Sequence, residues 1–335
     1  MVDLKTRYMG IDLDNPLIVS SSGITGRVGS IERCANAGAG AVVLKSMFEE
    51  IIVAEAEDFN DLITSSPSAH PEMYDYVRAD VGMRLGPLSY LEFIEKTRKK
   101  VNIPVIASIN CTSARWWVPY ARKIESAGAD GVELNISHFP GGSREESEVI
   151  EKQYAEIVHE VSSAISIPVS AKIGFYFTSL GNVMADMAAA GARALVLFNR
   201  YHAVDVDLES KSLVPAIKYS SPEEFTLPLR WIGFAAQNLS CDVSASTGVH
   251  DAETMLKMLM VGATTVQVCS TLYRNGPGYI KELLTELCSW LDENGYTSVD
   301  EIRGLALRNS QAEQALLTRM QYVKALEQAS EMYKF

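Results

Sequence analysis

Apolar residues along the chain gather in short continuous runs, and the runs recur in one phrase: AGAGAVVLKS (37–46), AGADGVELNIS (127–137), AGARALVLFNR (190–200) and VGATTVQVCS (261–270). Each reads as a helix closed by glycine and followed by a strand. Glycine supplies the left-handed backbone that ends a helix, and an unbroken β-branched run is the pattern of a parallel strand buried on both faces. A second set lies between them: PLIVSSS (16–22), PVIASIN (104–110), PVSAKIG (168–174) and CDVSAST (241–247). Two of these follow Ile in an Ile-Pro-Val opening, where proline is tolerated as the first residue of a strand.

Amphipathic stretches fill the intervals, from Pro119 to Ala127, Glu148 to Ala164, Leu229 to Leu239, Ala252 to Val261 and Tyr279 to Leu291. Eight strands alternating with helices predict a (β/α)₈ barrel. An open doubly wound sheet is the alternative, and the absence of G-x-G-x-x-G after any strand counts against it. The intervals 47–87 and 201–227 exceed what one helix needs, so insertions after strands 2 and 6 are expected over the barrel top. No composition break divides residues 1–335, which predicts one domain.

Catalytic groups in such barrels project from the C-terminal strand ends. That rule nominates Ser20, Ser21, Ser22, Lys45, Ser108, Asn110, Asn135, Ser137, His138, Lys172, Asn199, Arg200, Thr247, Gly248, Ser270 and Thr271. Singly, a serine here reads as a helix cap and an asparagine as turn chemistry. The lysines are harder to read that way, because AVVLKS and VSAKIG carry a charge toward the barrel centre, where an unpaired ion is costly. The last two units turn into their helices through Thr247-Gly248 and Ser270-Thr271. Small-residue turns at that place suit a phosphate, and with the lysines they suggest an anionic phosphorylated cofactor.

Composition narrows the partners. A formal charge of −12, with no basic run longer than Arg98-Lys99-Lys100, argues against nucleic acid. Five scattered cysteines without C-x-x-C suggest neither a disulfide framework, nor structural zinc, nor an iron–sulfur cluster, and no metal is expected. With no secretory h-region and no long apolar segment, a cytoplasmic protein without a membrane partner is expected.

These motifs, in this order, resemble the dihydroorotate dehydrogenase family of FMN-dependent barrel oxidoreductases, over nearly the whole chain. L-x-T-x-x-x-G-x-x-x-x-N-P (Leu4 to Pro16) resembles the hairpin under that family's barrel. NPLIVSSSG is similar to its first FMN loop, implying Ser21, Ser22 and Gly23 near the flavin. By the same resemblance Lys45 and Asn135 contact flavin and substrate, and Lys172 stabilises the anionic reduced flavin near N1 and C2=O. Asn199 stands at a substrate position, and GYTSVDEIRG is similar to a C-terminal motif of the family. Ser108, Asn110 and the two turns complete the candidate FMN site, with the turns altered: Thr247-Gly248 stands where the family has Gly-Gly, and Ser270-Thr271 follows Cys269 where it has Gly-Thr. The resemblance further implies a small-molecule substrate, dihydroorotate or a related dihydropyrimidine, in pyrimidine biosynthesis, together with a soluble electron acceptor and a homodimer.

The chain departs from the family where the substrate is handled. The family has Asn-x-Ser-Cys-Pro-Asn or Asn-x-Ser-Ser-Pro-Asn after its fourth strand, with Cys or Ser as base. Here Asn135-Ile-Ser137-His138-Phe139-Pro140 places His138 at the base position and lacks the second asparagine. An imidazole titrating near 6.5 suits proton abstraction at neutral pH, so His138 is read either as the base or as a loop residue beside a different substrate. The asparagine-rich loop after strand 2 is not recognisable in DVGMRLGPLSYLEF. Arg200 is open to a substrate carboxylate, Asp205 or Glu209. Two rival readings remain: a lyase forming a Schiff base on Lys172, and a flavin-binding protein without turnover.

Overall fold

The computed structural model describes residues 2–49, 87–110, 114–137, 145–200, 203–216 and 219–309. Its centre is a closed parallel barrel of β3 (Leu17–Val19), β4 (Ala41–Val43), β6 (Val105–Asn110), β7 (Gly131–Asn135), β8 (Val169–Ile173), β9 (Ala194–Leu197), β12 (Asp242–Ser246) and β13 (Thr265–Val268). Each strand pairs with its sequence neighbour in the barrel, and β13 pairs with β3 through Val266↔Leu17. The eight predicted units are therefore the eight barrel strands.

The repeated phrase has a local cause. Gly38, Gly128, Gly191 and Gly262 all have positive φ, at 101°, 86°, 112° and 105°. Each ends a helix and turns the chain back toward the next strand, a conformation that side-chain-bearing residues rarely adopt. The helices then pack against the outer faces of the strands, and residues such as Ile31, Ile124, Val158, Met187, Ile232, Leu259 and Leu287 are buried there.

One helix begins earlier than expected. Its pattern predicts a start at Pro119, where proline fits a first turn, yet the helix runs Ala114–Ser126 with Pro119 inside it. Trp117 is fully buried and Tyr120 nearly so. Burying both aromatics offsets the lost hydrogen bond and ring clash of an internal proline, about 3 kcal/mol.

The barrel base is closed by the hairpin β1 (Thr6–Tyr8) and β2 (Ile11–Leu13), which turns through Met9 and Gly10, both at positive φ. This is the two-residue connection that matches strand twist. Tyr8, Met9 and Leu13 plug the base against Ile18, Ala41, Val43, Ile106 and Ala194, so the open end of the barrel is the C-terminal one.

Of the two expected insertions, the one after β9 forms a second hairpin, β10 (Ala203–Asp207) with β11 (Ser212–Ala216), followed by a short turn of helix, Pro222–Phe225. The expectation for 47–87 lies mostly outside the described residues. At its start, β5 (Met47–Phe48) pairs with β6 beyond the end of β4.

Between the pairs Val43↔Ile106 and Met47↔Ile109, strand β6 has no strand partner on that side, and a tyrosine takes the place of one. Tyr90 Oη accepts from Ser108 N at 3.1 Å and donates to Ser108 O at 3.0 Å. Tyr90→Phe should cost about 1–3 kcal/mol, the usual penalty for buried backbone groups left unpaired, read from urea denaturation; an unchanged midpoint would contradict that role. A Cβ on Gly10 meets nothing within 4 Å, whereas one on Gly262 would lie 2.5 Å from Ala236 Cβ. Gly10→Ala should cost about 1–2 kcal/mol for the left-handed backbone alone. Gly262→Ala should lose about 1–3 kcal/mol more through overpacking, and equal losses in thermal melts would show that the close approach is not tight.

Candidate active site at the barrel mouth

Side chains on alternate strand residues share a face, so each barrel strand sends its last inward residue toward the open end. Asn135 and Lys172 are direct partners across β7 and β8 and project side by side. Lys172 Nζ donates to Ser20 Oγ at 2.9 Å, and Ser20 Oγ reaches Gln267 Oε1 at 3.0 Å. Asn199 Nδ2 donates to Asn135 Oδ1 at 2.7 Å. One lysine and two asparagines from three adjacent strands thus share a corner of the mouth.

Beside this corner, Ser21, Ser46 and Ser108 form a hydroxyl chain with Oγ separations of 3.1 and 2.8 Å. Asn110 is buried at the end of β6, and its Nδ2 has no partner among the described residues. A buried amide donor without an acceptor is rare enough to mark a place where a ligand or water is accommodated. Ser22 caps the short helix Gly23–Gly26, with its backbone N–H donating to Thr25 Oγ1 at 3.1 Å. A Cβ on Gly23 would lie 2.6 Å from Tyr273 Oη, and one on Gly26 would lie 3.0 Å from Lys45 Cδ. Lys45 and Tyr273 therefore both fold over this loop.

The last two units meet behind the lysine. Thr247 and Gly248 both have positive φ, at 77° and 80°. Thr247 Oγ1 donates to Phe198 O at 3.3 Å, and a Cβ on Gly248 would run into the backbone of Glu224 and Phe225. In the next turn, Ser270 Oγ accepts from Ser220 N at 3.0 Å and Thr271 Oγ1 donates to His250 O at 3.2 Å. Ser220 Oγ lies 2.9 Å from His250 Nε2, and Arg274 donates to Ser220 O. The space beside Gly248 is taken by the backbone of Glu224 and Phe225, and the Ser270 and Thr271 hydroxyls tie the loops of the last two units together.

Arg200 is committed elsewhere than the sequence pattern suggests. Its Nε and Nη2 make a two-pronged pair with Glu224, both at 3.0 Å, rather than with Asp205 or Glu209. The acidic partner comes from the capping turn Pro222–Phe225, and it is placed by Ser221 N donating to Glu224 Oε1 at 2.8 Å. His138 lies outside the described residues. Ser137 precedes it at the end of β7.

Several polar residues at the site were not singled out by the sequence pattern. Glu133 and Gln267 stand inside VELN and VQVC, and the reasoning that marks Lys172, a polar residue within a buried strand, applies equally to them. Ser46, Glu224, Ser220, His250, Tyr273 and Arg274 carry no such mark, because their position depends on how loops from different units meet. Among the described residues no group of three or more His, Cys, Asp or Glu is placed to hold a metal, and no helix is long and apolar enough to cross a membrane.

The site also sets a pH response. Burial, with the Arg274 guanidinium adding to it, holds the His250 imidazole below its usual range. Folding thus keeps His250 neutral while the unfolded chain takes up a proton at about pH 6.5. The stability that depends on the neutral ring is present above that pH and is lost as pH falls through the depressed folded value. His250→Gln should flatten the fall in urea midpoint between about pH 7 and pH 5; a slope identical to that of the parent chain would rule the contribution out.

Comparison with known proteins agrees with this geometry. A family model described as dihydroorotate dehydrogenase matches residues 81–291, more than half of the chain. The catalytic subunit of dihydroorotate dehydrogenase B (NAD(+)) from Thermoplasma acidophilum is 28% identical over 318 residues, covering 92% of this chain and all of the relative. The proteins of the same name from Methanocaldococcus jannaschii and Pyrococcus abyssi are 28% and 29% identical over 90% and 91% of this chain, which spans 98% and 99% of them. The chain belongs to the dihydroorotate dehydrogenase family and is an oxidoreductase of the kind that acts on a CH–CH group.

Proposed function

We propose that the chain binds FMN in the barrel mouth and oxidises dihydroorotate, or a closely related dihydropyrimidine, passing the electrons to a soluble acceptor in the cytoplasm. The observation that carries this reading is the corner formed by Lys172, Asn135 and Asn199, a fixed cation beside two amides at the ends of adjacent strands. The donor set suits the cofactor. Ser21, Ser22, Gly23, Ser108 and the unpartnered Asn110 amide line one side. Thr247, Gly248, Ser270 and Thr271 form the turns that would seat a phosphate.

Bound there, FMN supplies a two-electron acceptor for the C–H bond that is broken. Lys172 would place positive charge beside the bound cofactor, which would lower the cost of its reduction. Asn135 and Asn199 orient the substrate ring, and their mutual hydrogen bond fixes both amides before it arrives. Lys45 covers the first loop and faces cofactor and substrate. Arg200 is held by Glu224 in a two-pronged pair beside the site. His138 takes the proton from the carbon adjacent to the one that loses hydride. A positioned base contributes about 10²–10⁴-fold in rate.

The purified protein should be yellow and release FMN on denaturation, and anaerobic dihydroorotate should bleach it. His138→Ala should keep its FMN and slow that bleaching by at least about 100-fold. Unchanged reduction kinetics in the variant would remove His138 as base. A yellow protein that no dihydropyrimidine bleaches would leave only cofactor binding. A colourless one that borohydride links covalently to a carbonyl substrate would instead point to a lyase using Lys172.

A further inference from the structure

Beneath the mouth, a line of polar side chains crosses the barrel interior. Lys172 Nζ donates to Ser20 Oγ at 2.9 Å, Ser20 Oγ donates to Gln267 Oε1 at 3.0 Å, and Gln267 Nε2 donates to Glu133 Oε2 at 2.8 Å. The four residues come from β8, the end of β3, β13 and β7, and are 7%, 2%, 2% and 1% exposed. The direction of every bond is set by chemistry. An ammonium can only donate, so Ser20 accepts from it and turns its own hydrogen to the amide oxygen, which leaves the amide N–H to a carboxylate that accepts. A donor stands at one end of this line and an acceptor at the other.

Among the described residues Glu133 has no other source of positive charge within ion-pair distance. It lies opposite Ser170 across β7 and β8, two residues before the Asn135–Lys172 pair, so it faces the interior one layer below the lysine. Its Oε1 has no partner among the described residues. From the barrel base Tyr8 faces it, held as a neutral phenol by burial and then by the Glu133 and Asp242 carboxylates. None of these can balance a carboxylate. A buried anion and a buried cation each cost several kcal/mol when alone, and here they are joined by two bridging side chains.

We propose that Glu133 is the fixed counter-charge of Lys172: acting through Gln267 and Ser20, it holds the lysine side chain in place and aims it at the barrel mouth. Glu133 is then a positioning residue that never touches the reacting atoms. Its consequence for the cofactor rests on the FMN reading above, but the pairing itself does not.

The pairing is tested in flavin-free protein by a double-mutant cycle of Glu133→Gln, Lys172→Met and the double variant in urea. Each single change strands one charge, so the double variant should lose at least tenfold less in its unfolding constant than the product of the two single losses, about 1.4 kcal/mol of coupling. Additive losses would overturn the proposal. In flavin-loaded protein, Glu133→Gln should weaken binding of reduced relative to oxidised flavin about tenfold, a midpoint about 30 mV more negative for a two-electron couple. The sign is decisive. Removing a carboxylate that acted on the flavin only through its own charge would raise the midpoint, so a rise or no change overturns the proposal. If the Glu133 variant does not fold, Gln267→Met cuts the bridge with both charges in place and should shift the midpoint in the same negative direction; no shift overturns it. A protein that holds no FMN sinks the cofactor reading, while the urea cycle still decides the counter-charge.

Discussion

A closed parallel barrel buries whatever its inward-facing strand positions carry, and in this one those positions carry charge. Lys172 and Glu133 sit in adjacent layers of the interior, bridged by Ser20 and Gln267. Apolar side chains at the same places would pack with no desolvation cost, so the polar line is an expense that the fold carries rather than a source of its stability. The rest of the site is arranged about that cation: Asn135 beside it in register, Asn199 bonded to Asn135, and the hydroxyl chain of Ser21, Ser46 and Ser108 beside this corner.

The base of the barrel makes this polarity tolerable. Tyr8, Met9 and Leu13 close the lower end with an apolar plug, and Met9 N is anchored on Asp242 at 2.7 Å. One end is therefore dry and packed while the other keeps its polar groups, so a ligand has a single direction of approach. Chemistry and stability are separated along the barrel axis, as the fold generally arranges them.

The segment after β9 acts as a tether between units. Ser220 reaches Ser270 and His250, Glu224 grips Arg200, and the backbone at Phe225 lies close against Gly248. A single excursion of the chain thus positions the turns of three units at once. The dihydroorotate dehydrogenase relatives span nearly the same length of chain. The loop after β7 is where this sequence departs from the family pattern, and it adjoins the most regular part of the site.

The chain's own pattern was enough for the architecture. Glycine at four equivalent positions ends four helices, and continuous apolar runs can be satisfied only by strands buried on both faces, so eight units and their order follow from local chemistry. It was also enough to mark Lys172, Asn135 and Asn199, because a polar residue at the end of a buried strand has only the barrel mouth to face. Tertiary structure decided the partners. Glu224 rather than Asp205 or Glu209 takes Arg200, Tyr90 of the preceding helix pairs the open backbone of Ser108, and burial of Trp117 draws a helix through Pro119. Each of these depends on which surfaces meet when the barrel closes. A hydrogen-bond partner is fixed by distance and direction in space, and linear spacing carries neither.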